Sequence, residues 1–191
     1  SASLAVVTLL VVTGALHEDG LADCADGFWG GGTTERRLDI MRDSRIGTYG
    51  VLALISAVLL KVAVMQSAIA AGPLFGALTL VAAAVAARAV ALYAWVGLPP
   101  ARTDGLAVGI GRPTIASFRS AVLVAIAMTA LLVAWWAPIG FIVAALAAAV
   151  AAKTCASIAE RKIGGHTGDV IGASVVTSDL LYALALTMWT A

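Results

Sequence analysis

Between His17 and Arg45 the chain gathers the residue types that handle metal and phosphate. The run His17-Glu18-Asp19-Gly20-Leu21-Ala22-Asp23-Cys24-Ala25-Asp26-Gly27 sets Asp19, Asp23 and Asp26 at i, i+4 and i+7. On a helix they share an arc of about 60°, with Leu21, Cys24 and Ala25 on the other side. Three carboxylates on one face repel one another, and a cation among them relieves that cost. All-oxygen ligation suits Mg2+, Mn2+ or Ca2+, and Mg2+ characteristically combines one or two carboxylates with substrate phosphates. A merely solvated acidic face would carry interspersed lysines and would not need Gly20 and Gly27. The expectation is therefore a metal site, with Asp19, Asp23 and Asp26 as ligands and Glu18 in support.

Downstream, Asp39 and Asp43 repeat the four-residue spacing, and Gly27-Phe28-Trp29-Gly30-Gly31-Gly32 lies between the two halves. Arg36, Arg37, Arg42 and Arg45 follow. Guanidinium forks grip phosphate oxygens two at a time, so carboxylates interleaved with arginines point to a metal-bridged diphosphate. The two aspartate pairs partly resemble the signature of CDP-alcohol phosphotransferases. The interval between the halves is shorter here, and the Ala-Arg dipeptide after the second aspartate is missing.

The elements that must position this segment are apolar. Residues of apolar type make up 61% of the chain and charged residues 12%, a balance that needs the bilayer as solvent. Six stretches of helix length are drawn: Ser1–Leu16, Thr48–Ile69, Leu74–Leu98, Ser117–Trp136, Ile139–Ser157 and Val170–Trp189. Gly72-Pro73, Pro99-Pro100, Pro138 and Gly164-Gly165 separate them. No stretch alternates as a strand would. The fold class is an all-α, polytopic transmembrane bundle, one integral membrane domain over 1–191 with an active-site segment at 17–47. The first stretch is short and opens without Met or a basic flank, so an N-terminally truncated chain is expected. A net charge of +1 gives no basic excess for nucleic acid. Cys24 and Cys155 lack metal-ligand spacing and read as packing residues.

Tracing six spans places three connections on one face: His17–Gly47, Pro99–Ala116 and Ala159–Asp169. Arg36, Arg37, Arg42, Arg45, Arg102, Arg112, Arg161 and Lys162 all emerge there, and the opposite connections carry no charge. By the positive-inside rule that face is cytoplasmic, and nearly all carboxylates lie on it too. Three charges remain within spans. Lys61 is expected to snorkel to the far interface. Arg88 is too deep to be incidental, with Asp179 as one possible partner.

The stretch Gly14 to Asp23 with Ala25-Asp26-Gly27-Phe28, then Glu35-Arg36-Arg37-Leu38 and Met41-Arg42-Asp43-Ser44-Arg45-Ile46-Gly47-Thr48-Tyr49-Gly50, closely resembles the cobalamin synthase family, also called adenosylcobinamide-GDP ribazoletransferases. Leu98-Pro99-Pro100-Ala101-Arg102 with Gly105-Leu106, and Lys162-Ile163-Gly164-Gly165 with Thr167-Gly168-Asp169 and Gly172-Ala173, extend the match. The resemblance implies a Mg2+-dependent transferase of the prokaryotic cytoplasmic (inner) membrane. It would join adenosylcobinamide-GDP to α-ribazole, or its 5′-phosphate, and release GMP. In that mechanism Asp26 is placed among the catalytic carboxylates, and Asp43 is the general base by analogy with the CDP-alcohol pattern. Arg36, Arg42, Arg45, Arg161, Lys162 and Arg88 grip substrate, and Asp169 is a further candidate ligand. Val176 stands where the family often has glutamate, and His166 reads as an incidental surface histidine. The rival readings are a CDP-alcohol phosphotransferase acting on lipid and a divalent-cation transporter. Oligomeric state is not legible.

Overall fold

The computed structural model describes residues 1–103 and 109–189. Gly105-Leu106, part of the family resemblance, lies outside the described residues. The described chain is helical: α1 (Ala2–Thr13), α2 (Leu16–Gly30), α3 (Thr34–Ile40), α4 (Thr48–Ala71), α5 (Pro73–Gly97), α6 (Ile115–Thr129), α7 (Pro138–Ile163) and α8 (Gly168–Thr187). A π-helical turn, Ala130–Ala134, extends α6. Five of these are long and apolar enough to cross a membrane: α4, α5, α6 with its π turn, α7 and α8; α1 and α2 together make a sixth if their bent pair is one span.

The expected first span, Ser1–Leu16, differs. The helix stops at Thr13, and Gly14 and Ala15 both take left-handed backbone angles, φ 62° and 53°. Glycine tolerates that region, whereas alanine is strained there. The chain then departs at 88° as α2, which carries the charged residues away from the apolar α1 axis. Elsewhere the breakers act as expected. Pro73 and Pro138 open α5 and α7 at their first turns, where the missing N–H costs nothing. Gly164, at φ 72°, ends α7. That helix runs on to Ile163, so Ala159 to Lys162, expected in a loop, form its last turn.

The most enclosed span is α8, packed by α7, α5, α2 and α4. Its buried residues are mostly small: Gly172, Ala173, Ser174, Ser178 and Ala183 among them. In lipid, small residues let backbones approach and gain dispersion contacts. The approach is tightest against α2. A Cβ on Gly20 would stand 2.7 Å from the Asp169 carbonyl oxygen, and one on Gly172 would stand 3.2 Å from that of His17.

One buried ion pair links two neighbouring spans. Lys61 of α4 forms an ion pair with Asp179 of α8, and both residues are buried. The expectations for these charges are therefore corrected. Lys61 does not reach for the far interface, and Asp179 takes Lys61 rather than Arg88, because α4 brings an ammonium to the same depth. His166 is also buried, not a surface residue. Its backbone pairs with the segment after α5: His166 N–H donates to the Pro99 carbonyl at 2.9 Å, and Ala101 N–H donates to the His166 carbonyl at 2.8 Å. This short bridge joins two connections on the charged face.

The tight helix crossing yields a first prediction. Gly20→Val forces a side chain into the Asp169 backbone and should cost about 1–3 kcal/mol or more. Gly32 has nothing within 4 Å of an added Cβ, and Gly32→Val should leave stability nearly unchanged. Thermal unfolding of both variants in detergent checks this; equal melting temperatures would contradict the packing account.

Candidate active site

The helical spacing of the aspartates holds, since Asp19, Asp23 and Asp26 all lie in α2. Their surroundings separate them. Asp19 is exposed, Asp23 half-buried and Asp26 buried. Asp26 faces the start of α4, where its carboxylate accepts from Gly47 N–H at 2.7 Å and Gly50 N–H at 2.9 Å. The first amides of a helix have no partner inside it, and Gly47 offers no side chain to cap them. Asp26 supplies that cap from another helix. Each of its oxygens accepts one amide bond, which gives it a structural role beside the metal-ligand and catalytic roles expected of it.

Asp19 and Asp23 gain a different neighbour. The approach of Gly20 to the Asp169 backbone sets Asp169, at the first turn of α8, beside them. Asp169 pairs with Arg102 and also accepts from the Thr167 hydroxyl at 3.1 Å. The proton affinity of Asp23 records the crowding. Burial first, then the charges of Asp169 and Asp19, push its carboxyl up to about 7, against the opposing pull of Arg102. Arg102 was not singled out by its residue type. The available signal was its place in Leu98-Pro99-Pro100-Ala101-Arg102, in the connection that meets the one before α8.

Among the described residues, no three His, Cys, Asp or Glu side chains are gathered closely enough to hold a metal ion. A hard cation wants oxygen donors and takes few from protein when a diphosphate supplies the rest. Asp19, Asp23 and Asp169 are such donors, and a cation among them would offset the repulsion between their charges. Glu18, expected in support, is placed elsewhere. With Lys61 and Asp179 it lines a small internal cavity of about 30 Å³, and one of its oxygens is buried without a hydrogen-bond partner.

The basic residues divide as well. Arg36 and Arg161 are exposed on the charged face, and Arg42 is exposed just after α3. Arg45 is committed to Asp43 through Nε–H at 3.0 Å and Nη2–H at 2.6 Å. Side-chain bonds from Arg45, then its backbone N–H, hold the Asp43 carboxyl down to about 2. A general base works best with a pKa near the operating pH, so Asp43 would have to exchange Arg45 for another partner to serve in that expected role. Lys162 donates to the Phe28 carbonyl at 3.0 Å, and Arg37 Nη1–H donates to the Lys162 carbonyl at 2.9 Å. These bonds tie α2 and α3 to the end of α7. Arg88 donates to Ala84 O at 3.0 Å and lines a cavity of about 20 Å³ with His17, Glu18 and Asp179.

The raised Asp23 pKa has a signed consequence. Its proton is held more tightly in the folded chain than in the unfolded one, so its stabilising contribution is complete at acid pH. That contribution is lost as pH rises from about 4, the unfolded value, through about 7, the folded value. In metal-free buffer, Asp23→Asn should flatten the fall in melting temperature across this window. A pH profile superimposable on that of the unsubstituted chain would contradict it.

The sequence profile described as cobalamin-5-phosphate synthase matches residues 1–187. An adenosylcobinamide-GDP ribazoletransferase of Azorhizobium caulinodans is 42% identical over 190 residues, covering 99% of this chain and 72% of that protein. The enzyme of the same name from Sinorhizobium sp is 43% identical over 193 residues, covering 98% and 74%. That of Bradyrhizobium diazoefficiens is 46% identical over 188 residues, covering 96% and 69%. No solved structure matches. A full-length family match, relatives above 40% identity and a bundle of apolar helices place this chain as a multi-pass membrane enzyme belonging to the cobalamin-5-phosphate synthase family.

Proposed function

We propose that the chain transfers the activated phosphoryl end of adenosylcobinamide-GDP to α-ribazole or its 5′-phosphate and releases GMP. The reaction takes place at the cytoplasmic face of the inner membrane. The observation that carries this reading is the meeting of Asp19 and Asp23 of α2 with Asp169 of α8, beside Arg102, on the face that holds most of the charge. The names of the curated relatives supply the substrates.

In this reading Asp19, Asp23 and Asp169 would hold Mg2+ together with the diphosphate, and the cation's charge would offset that developing on the departing GMP. Arg102, half-buried beside the carboxylates, meets a diphosphate oxygen with its guanidinium fork. Arg36, Arg42 and Arg161, exposed on the same face, raise the local concentration of an anionic substrate. Asp26 acts through structure: it caps α4 and so holds α4 against α2.

Two variants separate these roles in proteoliposomes supplied with Mg2+ and both substrates. Asp23→Asn should cut GMP release at least about a hundredfold, the scale seen when one preorganised charge contact is lost, without lowering the melting temperature. Asp26→Ala should instead lower stability by about 1–2 kcal/mol through loss of the cap. Near-normal GMP release by Asp23→Asn would sink the metal assignment. CMP release from a CDP-alcohol, or Mg2+ flux without substrate, would transfer the function to one of the two rival readings.

A further inference from the structure

On the side of α2 away from the carboxylates lies a cavity of about 250 Å³. Phe28 falls about 180° around the helix from Asp19, and it forms one wall with Leu21. Ala53 of α4, Ile158 of α7 and Ala173 of α8 form the others. These residues stand within about 13 Å of the helix ends on the charged face, at 1.5 Å per residue, so the cavity lies just beneath that face. The helices α4 and α7 do not form a packed pair, and Ala53 and Ile158 are only half-buried. Between two membrane spans, such an opening gives onto acyl chains rather than water.

The wall is almost without polar function. Of its two thiols, Cys24 is buried and Cys155 lies 3.2 Å from the Thr177 hydroxyl, which also donates to the Ala173 carbonyl at 2.8 Å. Thiols are weak donors, and no amide, carboxyl or charged side chain lines the wall to orient a heterocycle. Apolar cavities of about 150 Å³ already stay dry and take hydrocarbon. The rim is different. Trp29 lines the cavity and is exposed, and the Lys162 ammonium stands 5.6 Å over its ring while donating to the Phe28 carbonyl. An ammonium has three protons, and that carbonyl takes one. Arg161 is exposed beside it in sequence.

We propose that this cavity is a binding site for one anionic phospholipid. An acyl chain fills the apolar space between α4 and α7, and the phosphate lies on Lys162 at the rim. The site backs onto the opposite side of α2 from Asp19 and Asp23, so the lipid braces the helix that carries them. Apolar volume, membrane depth and a fixed cation at the mouth together select a lipid over a soluble ligand.

The test reconstitutes the full chain in nanodiscs of mixed phosphatidylglycerol and phosphatidylcholine. It is then transferred to detergent, and the retained lipid is read by native mass spectrometry. The unsubstituted chain should keep one lipid, with phosphatidylglycerol favoured about fivefold, the scale expected of one lysine near a headgroup. Lys162→Gln keeps a donor for the Phe28 carbonyl and should erase the preference while leaving lipid bound. Ala53→Phe fills the cavity and should abolish retention of both lipids. If Ala53→Phe does not fold, Lys162→Gln decides alone. No retained lipid, or a preference unchanged by Lys162→Gln, would overturn the proposal. Expulsion of the lipid by α-ribazole would give the cavity to a substrate and overturn it equally. None of these readings needs turnover, so they stand or fall apart from the proposed reaction.

Discussion

The backbone contact between α2 and α8 governs the rest of the charged face. Gly20 and Gly172 remove the side chains that would keep the two helices apart, and the approach sets the first turn of α8 against the acidic side of α2. In a bilayer such closeness must be supported by dispersion contacts, because lipid tails solvate apolar helix surfaces as well as protein does. Small residues along α8 supply those contacts on several sides. The same geometry has an electrostatic cost. It crowds Asp169 toward Asp19 and Asp23, and burial together with these charges pushes the Asp23 carboxyl up to about 7. Packing gain and charge repulsion arise from one crossing.

A second set of charges lies deeper, and it obeys a different rule. Lys61 and Asp179 are paired where water is excluded. Removing either partner would leave an uncompensated charge, which costs far more than the pair contributes. Glu18 and Arg88 border the adjoining small cavities. The far end of α2 is held by Lys162 at the Phe28 carbonyl and by Asp26 on the amides of α4. A helix charged on one face and bent by 88° from its predecessor is thereby fastened at its far end and, through Gly20, across its middle.

The sequence discloses periodicity and face well. Five spans, the helical run of aspartates and the collection of charge on one face follow from local composition. The first stretch misleads because its apolar residues continue to Leu16, whereas the break depends on backbone angles at Gly14 and Ala15. Asp26 shares the arc of Asp19 and Asp23, and only the three-dimensional position of α4 assigns it to capping. A clue was present, since Gly47 begins a helix without a side-chain acceptor of its own. The partners of Lys61 and Asp169 are less accessible. Lys61 and Asp179 are 118 positions apart, and Arg102 and Asp169 are 67 apart. No periodic rule reaches across such intervals. His166 misleads for a related reason: a polar residue between glycines reads as loop surface, but its backbone completes a bridge to the Pro99 segment.

The Arg102–Asp169 pair then explains how a crowded acidic site remains tolerable before substrate arrives. A half-buried carboxylate without a counter-charge would be costly, and Arg102 provides that counter-charge from within the chain. One guanidinium does not neutralise three carboxylates, and the raised proton affinity of Asp23 takes up part of the excess. On the proposed reading, an incoming diphosphate with its divalent cation offers each group a new partner. The carboxylates gain the cation, and Arg102 gains phosphate oxygens in the bidentate geometry guanidinium favours. Arg102 and Asp169 would each leave one partner for another. On the same reading the exchange would need the cation. A diphosphate alone would give Arg102 a partner while leaving Asp169, Asp19 and Asp23 facing further negative charge, a repulsion that would favour the metal-bound form of the proposed substrate.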